Sequence, residues 1–216
     1  MTTIGFIGGT GPEGKGLAYR FALAGHDIVI GSRRLERAQE AAQEIAAKVA
    51  GATVAGAENA DAAAQAELIV LTVPFSAQAD TVPGLRDAIA AKIVVSTAVP
   101  MAFEGGKAAM LSVPEGSAAE QVQALLPSAR VAGAFHNLSA KKLSGGGELA
   151  AQDVLVCGDD ADAKRDVMAL AEQIGGVRAV DSGALAGSRY VEGITVLLVA
   201  INRRYKALAG VRIVGV

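Results

Sequence analysis

Apolar and polar positions along the chain follow two alternating periods. Thr3-Ile4-Gly5-Phe6-Ile7 is a β-strand-like run, and it leads directly into Gly8-Gly9-Thr10-Gly11-Pro12-Glu13-Gly14-Lys15-Gly16. Helical spacing over 15–24 follows, then a turn at Gly25-His26-Asp27 and the β-branched run Ile28-Val29-Ile30. The pattern repeats with a helix over 34–50, a short strand over 53–55, a short helix over 61–66 and a fully buried strand over 68–71. A helix over 76–91 and a strand over 93–96 lead to a loop containing Pro100, Gly105, Gly106 and Pro114. A helix over 118–126 precedes a strand over 130–135 that delivers His136-Asn137. Residues 141–147, rich in lysine and glycine, read as a mobile connection suited to a lid. Strand, helix and strand over 153–158, 159–174 and 177–181 extend the sheet by a further βαβ unit. A long helix over 184–208 places Val191, Ile194, Leu198, Ile201, Tyr205 and Leu208 three and four residues apart, a stripe that needs a partner surface.

This order of elements predicts an α/β protein, a Rossmann-type doubly wound and mainly parallel sheet with a small C-terminal helical part. The expected division is 1–137 for a nucleotide-binding domain and 138–216 for a smaller C-terminal part, in which 152–181 extends the sheet and 184–208 forms the long helix.

The glycine turn fits two phosphate loops. Gly9, Gly11 and Gly14 make the G-x-G-x-x-G of a dinucleotide fold, whereas Gly9 through Lys15 make the G-x-x-x-x-G-K of a triphosphate loop. The triphosphate loop needs a Ser or Thr hydroxyl on magnesium at its eighth position, where this chain has Gly16. In the dinucleotide reading, Gly9 permits the tight turn, Gly11 lets backbone approach the pyrophosphate and Gly14 lets the helix pack on its strand. Gly8, Gly11 and Gly14 also match the spacing of short-chain reductases, but no Tyr-x-x-x-Lys pair follows Tyr19, Tyr190 or Tyr205.

At the end of the second strand, where NAD enzymes carry a carboxylate for the ribose 2′-hydroxyl, stand Ser32, Arg33 and Arg34, with Arg37 one turn later. Guanidinium groups hold a 2′-phosphate by charge-assisted hydrogen bonds, so NADP(H) is the expected cofactor. Val73 and Pro74 close the fourth strand at the carboxyl edge of the sheet, and Pro74 reads either as part of the wall of the cofactor cleft or as a helix-start proline with no ligand contact. For His136 two readings stand: a hydrogen-bonding group near the nicotinamide or the second substrate, or a histidine satisfied at the edge of the core. His26, at a helix-strand turn, reads as a surface residue.

With 216 residues, 51% hydrophobic and a net charge near −2, the chain has enough material for one large domain or a domain with a small appendage. Aromatic content of 4%, no tryptophan and no basic stripe give a nucleic acid little to bind. Cys157, the lone cysteine, excludes an intrachain disulfide and a cysteine-rich metal site, and its apolar neighbours predict a buried strand thiol. No metal is expected. The apolar run 194–201 is far short of the roughly twenty residues a bilayer crossing needs. No basic segment with an apolar core precedes the first strand, so a cytoplasmic location is expected. The long helix carries Arg189 and Glu192 beside its most apolar stretch, where charge is costly unless paired or bound, and its apolarity on several sides predicts burial against the main domain, a second subunit or both, with a homodimer expected.

Taken together, Gly8 to Gly11 with Gly14-Lys15-Gly16, Gly31-Ser32-Arg33-Arg34, Leu71-Thr72-Val73-Pro74, Val156-Cys157-Gly158-Asp159-Asp160, and Ser188-Arg189 with Val191-Glu192 and Thr195 resemble the NADPH-dependent F420 reductase family, over essentially the whole chain. The resemblance implies reversible hydride transfer between NADP(H) and the deazaflavin coenzyme F420 as substrate, usually by a homodimer. It also implies that Thr10, Ser32, Arg33 and Arg37 hold the NADP phosphates. Val73, Pro74 and His136 would lie nearer the nicotinamide, and Arg189 and Thr195 would influence the paired cofactors. Gly193 and Phe75 depart from the serine and tryptophan expected of close relatives. Hydride passage between the rings needs no metal, nucleophile or redox cysteine, and the chain singles out no general acid beyond the assisting role open to His136. An NADPH-dependent imine or keto-acid reductase and a non-enzymatic NADPH sensor are the alternatives.

Overall fold

The computed structural model describes residues 1–216. In chain order the elements are β1 (Thr3–Ile7), α1 (Pro12–Leu23), β2 (Asp27–Ser32), α2 (Leu35–Ala46), β3 (Val54–Glu58), α3 (Asn59–Gln65), β4 (Leu68–Leu71), α4 (Phe75–Thr81), α5 (Arg86–Ile89) and β5 (Ile93–Ser96). They continue with β6 (Met101–Glu104), β7 (Lys107–Met110), α6 (Ala118–Leu125), β8 (Arg130–Gly133), α7 (Ala140–Leu143), β9 (Gln152–Gly158), α8 (Ala161–Ala171), β10 (Val177–Asp181) and α9 (Ser188–Tyr205).

Eight strands form one sheet in the order β10-β9-β8-β5-β4-β1-β2-β3, and β6 and β7 form a separate hairpin. All neighbours in the large sheet are parallel except β8 and β9, so β9 and β10 run against the other six strands. Pleating sends alternate side chains of β1 to opposite faces. Phe6 joins the core under α1, α2 and α8, and Ile7 joins the one under α3, α5 and α6. Chain order reverses between β1 and β4, and such a switch point leaves a crevice at the carboxyl ends of the strands.

Several local expectations are revised. The helix expected over 76–91 is broken into α4, a 3-10 turn at Pro83–Leu85 and α5, because Pro83 has no N–H to donate and its ring disfavours a continuous helix. The proline- and glycine-bearing loop after β5 contains the β6–β7 hairpin, turned through Gly105 and Gly106 with φ of 54° and 76°. Residues 141–147 are not a free lid. Buried Arg20 of α1 donates to the carbonyls of Lys142, Leu143, Gly145 and Gly147, with the Leu143 contact at 2.8 Å. His26 is buried rather than superficial, and its Nε2 lies 2.6 Å from Gln173 Oε1 on the turn after α8. Cys157 is a buried strand thiol, as its neighbours suggest. No helix is long and apolar enough to cross a membrane.

Candidate functional site

Two adjoining cavities occupy the crevice above β1 and β4. The outer one, about 830 Å³, is lined by the glycine turn (Gly8, Thr10, Gly11), the end of β2 and start of α2 (Ser32, Arg33, Arg34, Arg37), Asn59, and the segment from Thr72 to Thr81 that includes Val73 and Pro74. The inner one, about 370 Å³, shares Thr72, Val73, Pro74 and Ser76 and adds Glu13, Phe75, Thr97, Ala98, Val99, Met101 and Leu111.

The glycines are needed for space as well as turning. A Cβ on Gly14 would sit 2.7 Å from Gly9 Cα, and one on Gly9 would sit 2.6 Å from Phe6 Cβ, so α1 packs against β1 only because both lack side chains. At Gly11, the residue that caps the start of α1, a Cβ would meet nothing within 4 Å, so the approach to the helix N-terminus is open, as an incoming anion requires. Gly16 has a packing reason too. A Cβ there would lie 2.7 Å from Leu143 Cβ, so the position that would carry a magnesium hydroxyl in a triphosphate loop is taken up by contact with α7.

Arg33, Arg34 and Arg37 are exposed and none makes a side-chain hydrogen bond or ion pair within the protein. Three unpaired guanidiniums on one cavity wall concentrate positive charge and hydrogen-bond donors that the protein leaves unused. Ser32 is buried, and its Oγ accepts from the Arg34 amide at 3.2 Å, which shapes the entry to α2. Sequence reasoning missed Asn59. Its Oδ1 accepts from the Gly8 amide at 3.2 Å, holding the turn from the neighbouring crossover, and a single asparagine between a strand and a helix carries no motif that would reveal this.

His136, Arg189 and Thr195 are not brought to the lining of either cavity. His136 follows Phe135, whose φ of 68° turns the chain inward at the end of β8. Neither of its ring nitrogens has a partner, and burial pushes the imidazole down to about 4, so it is neutral at physiological pH. Thr195 Oγ1 donates to the His136 carbonyl at 2.8 Å, and Arg189 pairs with Glu120 at 2.9 Å. Glu192, fully buried, accepts from the amides of Ala118 and Ala119 at 3.0 and 3.2 Å; burial raises its carboxyl to about 7 against the opposing pull of those two donors. The charges flanking the apolar stretch of α9 are thus paired within the chain. Of the stripe itself, Val191 and Leu198 are buried, while Tyr205 is exposed.

Residues 3–100 match the family described as NADP oxidoreductase, coenzyme F420-dependent. The F420-dependent NADP reductase of Methanothermobacter thermautotrophicus is 43% identical, over 97% of this chain and 94% of that protein. That of Methanocaldococcus jannaschii is 41% identical, over 97% of both. Among solved structures, a putative F420-dependent NADP reductase from Arthrobacter sp. FB24 superposes over the full length of both chains, with a TM-score of 0.86 and 26% identity.

Proposed function

The chain belongs to the family of coenzyme F420-dependent NADP oxidoreductases, and on that premise we infer that it transfers hydride reversibly between NADP(H) and coenzyme F420. The observation that carries the reading beyond resemblance is the pair of adjoining cavities, one walled by three unpaired arginines and the other largely apolar. In this reading Ser32, Arg33, Arg34 and Arg37 take the 2′-phosphate. Gly9, Gly11 and Gly14 bring the α1 amides to the pyrophosphate, with the Thr10 hydroxyl beside them. Val73 and Pro74 form the wall between phosphate and ring subsites. When bound, the nicotinamide and the deazaflavin supply the hydride chemistry themselves. The protein's part is to hold and orient them and to keep water from the junction. His136, Arg189 and Thr195 influence the cofactors by bracing the turn after β8 and the start of α6, since their polar atoms are engaged there or buried away from the cavities.

The deciding assay mixes folded protein with NADPH and oxidised F420 under anaerobic conditions and follows the visible absorbance of the oxidised deazaflavin. Its loss, coupled to NADPH oxidation, is expected. Absorbance that stays constant while NADPH binds would refute the reading, and turnover with an imine or keto acid instead would reassign the acceptor.

The same reading includes a homodimer built on α9. Tyr190, Leu197 and Tyr205 expose 74%, 60% and 70% of their surface, a concentration of large side chains on one helix that a second subunit would cover. Light scattering should return twice the chain mass, and a monomer at micromolar concentration would refute it.

A further inference from the structure

The contacts assigned above to the phosphates leave one feature of the inner cavity unused. Glu13, the second residue of α1, lines that cavity opposite Thr97, Ala98 and Val99, and its Oε1 is fully buried with no hydrogen-bond partner in the protein. Buried polar atoms are costly to leave unpaired, so an orphan on a residue that lines a cavity points to a partner that arrives with a ligand. No other titratable side chain lines this cavity. Lys15 is committed to Glu44 at 2.7 Å, the three arginines line the outer cavity, and His136 lies outside both linings, held neutral by burial. Burial is the sole cause that raises the Glu13 carboxyl, to about 8, so at neutral pH it is an uncharged acid with one O–H donor and one carbonyl acceptor.

A dinucleotide anchored at the arginines and the glycine turn delivers its far end, the nicotinamide, into the inner cavity, because the two cavities share the wall from Thr72 to Ser76. The nicotinamide carries a primary carboxamide whose carbonyl accepts and whose amino group donates. A neutral carboxylic acid is its complement, able to form both hydrogen bonds side by side.

We propose that Glu13 is a positioning residue for NADP(H), its carboxyl group pairing with the nicotinamide carboxamide. The proposal rests on the NADP(H) half of the proposed function and is independent of the acceptor. Deprotonation removes the donor and sets a carboxylate against the carboxamide oxygen, so the favoured partner of NADPH is the protonated protein, and affinity falls as the pH rises above the Glu13 value.

The experiment titrates the full chain with NADPH, read by nucleotide fluorescence, and by competition with 2′-phospho-ADP-ribose, which has every phosphate but no nicotinamide. From about pH 7 to about pH 9 the wild-type dissociation constant for NADPH should rise about tenfold while that for the truncated ligand changes little. Contributions from the 2′-phosphate and the arginines are common to both ligands and cancel in the comparison. Glu13→Gln, which can still form an amide–amide pair, should keep NADPH binding at neutral pH and lose the difference in pH dependence. Glu13→Leu should weaken NADPH about tenfold and leave 2′-phospho-ADP-ribose unchanged, with thermal unfolding confirming that both variants fold. Equal weakening of both ligands by the leucine variant, or wild-type pH dependence in the glutamine variant, overturns the proposal. Failure of F420 reduction with this binding pattern intact counts against the proposed acceptor and leaves Glu13 in place. A folded wild type that binds no NADPH overturns both.

Discussion

Replacing Arg33 and Arg34 together by alanine tests the outer cavity directly. Both side chains are exposed and unpaired in the protein, so their removal breaks no internal contact and the melting temperature should be unchanged. A charged hydrogen bond is worth about 1.5–3 kcal/mol, and at an exposed site solvent and salt hold it near the lower end. About 1.5 kcal/mol each corresponds to roughly tenfold in affinity per arginine. Adjacent groups on one phosphate do not add fully, and Arg37 remains, so the double variant should bind NADPH about 30- to 100-fold more weakly. NADH lacks the 2′-phosphate and should lose no more than about twofold, the residue of long-range attraction to the pyrophosphate. Calorimetric titration with both nucleotides at fixed ionic strength measures the ratio. Equal losses for NADPH and NADH would refute the assignment of the arginines to the 2′-phosphate.

Arg20→Ala strips a buried guanidinium from four carbonyls of the 142–147 segment, so it should destabilise the protein by about 3–5 kcal/mol and raise proteolytic nicking within that segment; an unchanged melting curve would contradict the bracing role. Gly14→Ala forces a methyl group to within 2.7 Å of Gly9 backbone, at a cost of about 1–3 kcal/mol, and should weaken NADPH in parallel because the turn must move; calorimetry and thermal unfolding read both. Glu192 has a folded value of about 7, above its ordinary 4.5, so the native state holds its proton more tightly than the unfolded chain; its contribution to stability is greatest below 4.5 and is lost as the pH rises toward 7. The Glu192→Gln variant should therefore show a flatter melting temperature across that window, and parallel curves would refute the burial argument.

Most of the sheet was legible because β1, β4 and β5 are buried on both faces and must be apolar throughout, a signal that survives without any knowledge of neighbours. The outer cavity was legible for a related reason. The glycine turn and arginines 33, 34 and 37 cluster locally in sequence, at the first turn and just past the last strand of one βαβ unit whose geometry brings strand ends together. Glu13 was in plain view inside the turn, yet the motif leaves that position free, and its significance depends on Thr97, Ala98 and Val99, which follow β5 three crossovers later. His26 and residues 141–147 were misread because a polar turn and a glycine run look solvated until Gln173 and Arg20 arrive from 147 and more than 120 residues away.

The sequence by itself determined the class of fold, the glycine turn and the local cluster of arginines, since these rest on periodicity and on residues close together in the chain. Only the tertiary structure decided which polar groups are spent within the protein and which remain for a ligand. Arg20, Arg189 and Glu192 are satisfied by distant segments, whereas Arg33, Arg34, Arg37 and the Glu13 carboxyl oxygen are not. Charge and hydrogen-bonding capacity are written in the residue type, but whether they are already used depends on packing between elements far apart in the chain.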